Sequence, residues 1–85
     1  MSSLKVIIGN KKVIKINEIN LSSDCVNDII EKIKKVEENI TINLVTIGGE
    51  DVSDFSKKLS EFDLDDGDNV MISDYYNGGN KLSYK

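Results

Sequence analysis

Several residue types are missing from this 85-residue chain, and their absence excludes whole classes of site. There is no histidine, proline or tryptophan, and there is one cysteine, Cys25. Without histidine a histidine-based catalytic triad is impossible, and a zinc site would lack its usual ligands. One cysteine forms no internal disulfide, which favours a reducing compartment. We therefore expect no enzyme activity, no catalytic residue, no metal and no cofactor.

Long apolar runs are missing as well. No stretch of about 18 apolar residues occurs, and no apolar segment follows the N-terminus, so we expect neither a membrane partner nor a secretory signal. Hydrophobic residues make up 39% of the chain and charged residues 31%. This composition and length predict a single domain over residues 1–85, with one two-layer core.

Acidic residues outnumber basic ones, and the charges are unevenly placed. Eleven lysines stand against fifteen acids, which gives a net charge of −4 and argues against nucleic acid as a partner. Residues 1–23 carry four lysines and one glutamate, whereas residues 50–74 carry nine acids and two lysines. The electric field of this uneven charge distribution would steer a basic partner towards the C-terminal half of the chain. Alternatively, the acids only form a solvated surface.

Alternating and β-branched patterns predict several short strands. These are expected over residues 4–8, 13–19, 40–47, 70–73 and 81–84. The first two are expected to pair across a turn at residues 9–12, and Gly48-Gly49 is expected to end the third. An acidic loop is predicted over residues 50–58. A short helical turn is then expected to place three apolar side chains under the sheet: Leu59, Phe62 and Leu64.

One amphipathic helix of roughly four turns is predicted between the second and third strands. Its apolar residues recur at helical spacing as a single stripe: Val26, Ile29, Ile30, Ile33 and Val36. Ser22 or Ser23 is expected to cap its start, and Asn39 to end it. Cys25 lies at this start, where a thiolate would be favoured, but no base is available to activate it. We expect Cys25 to be a small structural residue.

A single helix must cover one apolar face of the sheet. The α+β ubiquitin-like β-grasp fold, a mixed sheet packed on one main helix, satisfies this requirement with few residues. A ferredoxin-like fold would need a second long helix, and residues 53–62 are too few and too polar to form one. The element order therefore predicts a β-grasp domain.

The segment Lys57-Lys58-Leu59-Ser60-Glu61-Phe62 carries a family resemblance, together with Leu64, Gly67, Val70 and Ile72. It resembles the C-terminal ubiquitin-fold domain of the larger, catalytic subunit of the SUMO-activating enzyme. That family continues with a glycine turn, a strand and an acidic-aromatic step, here Asp74-Tyr75. The resemblance extends more weakly over residues 13–84, and the equivalent domain of the NEDD8-activating enzyme is similar at lower quality. The family's Cys-x-x-Cys zinc pair has no counterpart before residue 13.

The resemblance implies a non-catalytic docking module that is a fragment of a larger activating enzyme. Such a domain recruits the E2-type conjugating enzyme for thioester transfer of the modifier. Its partners would be that conjugating enzyme, whose first helix is basic in the SUMO pathway, and the remainder of the activating enzyme. The nucleus and cytoplasm are the implied location.

Seven residues are predicted to bind the partner: Glu50, Asp51, Asp54, Met71, Ser73, Asp74 and Tyr75. The first three would pair with basic side chains of a partner helix, which affects association rate more than affinity. Because Val70 and Ile72 are expected to face the helix, strand alternation would point Met71, Ser73 and Tyr75 outward. On the strand at residues 40–47, alternation does not decide which set of apolar residues is buried.

Gly78-Gly79 supports a function from another class, that of a ubiquitin-like protein modifier. These glycines stand where a modifier carries its conjugated tail, because only bare backbone passes a narrow enzyme channel. Residues 80–85 would then be a removable extension. If residues 81–84 instead pair as a strand, the glycines form a turn. A third possibility is a free-standing β-grasp adaptor with an unrelated partner.

Overall fold

The computed structural model describes residues 1–9 and 12–77. Its strands are β1 (Ser2–Ile8), β2 (Lys12–Ile19), β3 (Ile40–Ile47), β4 (Glu50–Val52) and β5 (Asn69–Asn77). The helix α1 (Val26–Val36) lies between β2 and β3, and a 3₁₀ helix (Leu59–Glu61) lies between β4 and β5. The predicted strand at residues 81–84 and Gly78-Gly79 lie outside the described residues.

The five strands form one mixed sheet in the order β2-β1-β5-β3-β4. The central pair, β1 and β5, is parallel, and every other neighbouring pair is antiparallel. Parallel neighbours need a crossover connection, and the chain between β1 and β5 supplies it with α1. The chain therefore has the ubiquitin-like β-grasp fold, with a mixed sheet on one main helix, as the sequence predicts.

A single apolar core lies between α1 and the sheet face that it covers. Leu4 and Val6 of β1, like Val70 and Ile72 of β5, have no exposed surface, which confirms that the last two face the helix. The helix contributes Val26, Ile29, Ile30 and Ile33. Among the described residues no buried side chain is polar or charged. Burial of apolar surface therefore supplies the main stabilising term of this core.

The helix is shorter than its apolar pattern predicts. It has 11 residues, about three turns, instead of roughly four turns. Val36, the last residue of the predicted stripe, is 56% exposed. The predicted serine cap is wrong as well, since Cys25 is the N-cap residue. Its backbone N–H donates to Asp28 Oδ2 at 2.9 Å. The carboxylate of Asp28 thus satisfies a free donor at the helix start, which is the role expected of the serines.

Irregular pairing between β3 and β5 changes which residues face the core. The register skips Asn43 of β3 and Ser73 of β5, and each skipped residue shifts the in–out alternation by one position. Because of this shift, Ile42 and Val45 are both buried, at 7% and 0% exposure, although they lie three residues apart. Tyr75 likewise packs against the core. The prediction that Tyr75 points outward is therefore wrong.

A similar irregularity lies near the end of β2. The pairing of β1 with β2 shifts by one residue between Leu4–Ile16 and Ser2–Ile19. Within this shift Glu18 adopts φ 61°, the left-handed region that L-residues rarely occupy. The extra residue lets Ile16 and Ile19 both point into the core, at 3% and 0% exposure.

The glycine pair after β3 makes a tight turn, as predicted. Gly48 and Gly49 have φ of 59° and 83°, and they join Ile47 directly to its partner Glu50. Two consecutive positive φ values are typical of a type I′ hairpin turn, for which glycine is favoured. The predicted acidic loop over residues 50–58 is consequently wrong at its start, because Glu50–Val52 forms the edge strand β4.

The predicted short helical turn is present as the 3₁₀ helix. Leu59 is fully buried, and Phe62 and Leu64 are partly buried against the core. The Leu59 N–H donates to the carbonyl of Asp24 at 2.9 Å. This segment therefore closes the end of the core next to the start of α1.

Candidate functional site

The sheet face that points away from α1 carries the candidate site, and we call it the outer face. One row of register partners crosses it from β2 to β4: Val13, Ile7, Met71, Thr46 and Asp51. Directly paired residues point to the same face, so these five side chains are neighbours. With about 4.8 Å between strands, the row runs the full width of the sheet.

The β2 side and centre of this row are apolar and accessible. Val13 is 64% exposed and Met71 is 44% exposed, with the partly buried Ile7 between them. Single exposed apolar residues are ordinary on protein surfaces, but adjacent ones form a patch of the kind that binds proteins. The flexible thioether of methionine also adapts to the shape of a partner.

Two carboxylates stand on the outer face towards β4. Thr46 Oγ1 donates to Asp51 Oδ1 at 3.0 Å, which places the Asp51 carboxylate beside the row. Asn43 Nδ2 lies 3.4 Å from Asp74 Oδ1, within reach of a weak hydrogen bond. Both acids are exposed. The β3–β4 side of the outer face is therefore negatively charged.

The other two predicted acids lie elsewhere. Glu50 is paired with Ile47, whose side chain is buried, so Glu50 lies on the α1 side of the sheet, 3.9 Å from Lys57 Nζ. Asp54 follows β4 and accepts hydrogen bonds from Ser56 Oγ at 2.6 Å and Ser56 N at 3.1 Å. These bonds, the side-chain one first, lower the pKa of Asp54 below its ordinary value. The predicted acidic group of three is thus divided between separate surfaces.

The predicted residues of β5 are also divided. Met71, Ser73 and Asp74 are exposed. Tyr75 instead lies at the end of β1: a Cβ built on Gly9 would stand 2.7 Å from the Tyr75 hydroxyl. Of the seven predicted site residues, the structure brings together three on the outer face: Asp51, Met71 and Asp74. Ser73 is exposed at the register irregularity and has no cross-strand partner in the described sheet.

Two lysines of the outer face were missed by the sequence prediction. Lys5 and Lys15 are direct register partners in β1 and β2 and are both exposed. They lie two residues from Ile7 and Val13 in their strands, and therefore on the same face. Alternation assigns each lysine to one side of its own strand, but the strand register is needed to show that Lys5 and Lys15 are paired.

Other candidate sites have ordinary structural explanations. The Cys25 Sγ lies 3.4 Å from Asp28 Oδ2 within the helix cap. An open groove of about 360 Å³ between the end of β2 and α1 is lined by charged residues such as Glu18 and Lys32, whereas small-molecule sites are mostly apolar. In residues 1–9 and 12–77 no group of three or more metal-ligating side chains is arranged to hold an ion. No helix in that part of the chain is long and apolar enough to cross a membrane.

Comparison with known proteins assigns no family. Neither a scan against models of protein families nor a search of curated protein sequences finds a match to this chain. What bears on function is therefore the β-grasp fold together with the chemistry of its outer face.

Proposed function

We propose that this chain is a non-catalytic ubiquitin-fold domain that docks an E2-type conjugating enzyme as part of a SUMO-type activating enzyme. The observation that carries the proposal is the outer-face row, which runs from exposed apolar side chains to Asp51. An amphipathic helix with basic residues on its flank would bury its apolar side chains on Met71 and Val13. Its lysines or arginines would lie near Asp51 and Asp74.

The division of the sheet into two faces also supports a docking role. The residues of β5 that face α1, Val70 and Ile72, are fully buried, while Met71 between them remains accessible. Binding on the outer face would leave the core unchanged, so a rigid surface is presented without a folding cost. A preformed surface of this kind suits transient recruitment by a small interface.

A matched pair of charge reversals tests this proposal. Asp51→Lys is expected to weaken binding to the cognate conjugating enzyme about tenfold, since it reverses a charge on the contact face. Glu50→Lys changes the net charge equally at the adjacent position on the other side of the sheet, so we expect less than about a threefold effect at 0.15 M salt, where screening acts over about 8 Å. Isothermal titration against a panel of conjugating enzymes measures both.

A third variant and two contrary outcomes complete this binding test. Met71→Ala is expected to weaken binding by about tenfold if it lies near the interface centre. Circular dichroism of each variant confirms that the fold is retained. Equal losses for Asp51→Lys and Glu50→Lys would reject the outer face as the contact surface. Failure of the unmodified chain to bind any conjugating enzyme would reject the function.

A second candidate, a ubiquitin-like modifier, is favoured by the position of the diglycine in the sequence. The strand β5 reaches Asn77, which pairs with Ile40, and Gly78-Gly79 are the next two residues of the sequence. To test this candidate, a chain that ends at Gly79 is incubated with an activating enzyme and ATP. If the chain is a modifier, its C-terminal glycine is expected to form a thioester with that enzyme. The Gly79→Ala variant serves as the control. A docking domain forms no such thioester.

A further inference from the structure

Two lysines on the outer face oppose each other, and neither has an acidic partner within the part of the chain that the structure describes. Lys5 and Lys15 are direct cross-strand partners, and like charges in this position destabilise a sheet. Within residues 1–9 and 12–77 neither side chain forms an ion pair or a hydrogen bond. By contrast Lys12, also in β2, pairs with Glu37 at the end of α1. This pairing of like charges lowers the stability of the fold, so stability does not account for it. A local cost of this kind is typical of functional sites.

The two lysines give the outer face two ends of opposite charge. They occupy the β1–β2 side, whereas Asp51 and Asp74 occupy the β3–β4–β5 side, with the apolar Ile7 between the two groups. A partner that was basic along its whole contact segment would match one end of this surface and be repelled by the other. A partner with both charges, separated by apolar residues, would match all of it.

The spacing between the two ends suits a helix. From β2 to β4 there are four strand spacings, or about 19 Å across the sheet. A helix rises about 1.5 Å per residue, so about 13 residues, between three and four turns, cover this distance. One helix of ordinary length can therefore contact both charged ends and the apolar centre.

We propose that Lys5 and Lys15 bind an acidic side chain of the docked partner and thereby set the direction in which the partner's helix lies across the sheet. The basic end of the helix lies over Asp51, and its acidic end lies over the lysine pair. This inference depends on the proposed docking function and adds an orientation to it. The expected occupant is a protein helix that is basic at one end, apolar in the middle and acidic at the other.

The test compares two double charge reversals in the full 85-residue chain. Lys5→Glu with Lys15→Glu is expected to weaken binding of the conjugating enzyme at least tenfold. The control, Lys34→Glu with Lys35→Glu, makes the same charge change on exposed positions of α1 and is expected to change binding less than threefold. Charge reversal of the partner's acidic residue to lysine should restore binding to the first variant and not to the control.

A single substitution separates the binding role from a structural one. Lys5→Glu places a carboxylate opposite Lys15, so it is expected to raise the melting temperature by about 1–5 °C while it weakens binding. If the pair had no role in binding, Lys5→Glu would raise the melting temperature in the same way and leave binding unchanged.

Three results would overturn the inference. If Asp51→Lys weakens binding and the Lys5–Lys15 variant does not, the orientation is wrong and the docking function stands. If no conjugating enzyme binds the unmodified chain, both fail. If the unmodified chain self-associates in analytical ultracentrifugation and the Lys5–Lys15 variant is monomeric, the lysines belong to an interface between two copies of this chain.

Discussion

Ile72→Ala is expected to lower the free energy of unfolding by about 2–5 kcal/mol, whereas Met71→Ala, one residue earlier in the same strand, is expected to lower it by less than about 1 kcal/mol. Ile72 is fully buried between β5 and α1, so its truncation leaves a cavity. Met71 is 44% exposed on the outer face, so its truncation leaves none. Urea denaturation followed by circular dichroism measures both values.

The same pair of variants is informative in a binding experiment. Because the two side chains lie on opposite faces, the order of the effects is expected to reverse: Met71→Ala weakens binding, and Ile72→Ala, while folded, leaves it nearly unchanged. Similar stability losses for the two variants would contradict the assignment of faces in β5. The urea m-value of Met71→Ala should match that of the unmodified chain, as a control that the same surface is exposed on unfolding.

Gly9→Ala is expected to lower the free energy of unfolding by about 2–3 kcal/mol. Two causes add at this position. Gly9 has φ +57°, which costs an L-residue energy, and a Cβ there would stand 2.7 Å from the Tyr75 hydroxyl and 3.3 Å from its ring atom Cε1. Thermal or urea denaturation of the single variant measures the sum.

Gly48→Ala isolates the first cause, the positive φ, from the contact with Tyr75. Gly48 has nearly the same φ, +59°, and no atom lies within 4 Å of a Cβ built on it, so its substitution reports the backbone term of about 1 kcal/mol alone. Adding Tyr75→Phe to Gly9→Ala removes the nearest contact and is expected to recover part of the excess loss. Equal losses for Gly9→Ala and Gly48→Ala would show that Tyr75 does not pack over Gly9.

Hydrophobic periodicity was sufficient to predict the architecture. The stripe from Val26 to Ile33 and the β-branched run at residues 40–47 identified α1 and β3, and one helix against several strands left few alternatives to a β-grasp fold. These signals arise from burial, which depends on a pattern repeated along a segment. A small local error in a cap or a turn therefore does not change the predicted fold.

Strand pairing, in contrast, could not be derived from period-two alternation. Ile42 and Val45 are both buried only because the register skips Asn43, and Tyr75 turns inward because it skips Ser73. A bulge is decided by how two strands fit together in space, and neither strand's own sequence signals it here. Because Tyr75 packs against the core, it does not belong to the binding surface that strand alternation predicts.

The residues that carry the family resemblance mainly serve the core. Leu59, Val70 and Ile72 are fully buried, and Phe62 and Leu64 are partly buried against the core. The packing of the fold requires side chains with this role. They therefore support the β-grasp fold more strongly than they support a particular modifier pathway. The charge pattern of the outer face, including Lys5 and Lys15, only becomes visible once the strands are paired.

The most direct test of the docking proposal is an NMR titration of the ¹⁵N-labelled chain with the conjugating enzyme that binds it in the panel. We predict saturable shift changes at the amides of the outer-face row, Ile7, Met71, Thr46 and Asp51, and none at the exposed face of α1, for example at Glu31. Shift changes confined to α1, or no saturable change with any conjugating enzyme, would contradict a docking function for the outer face.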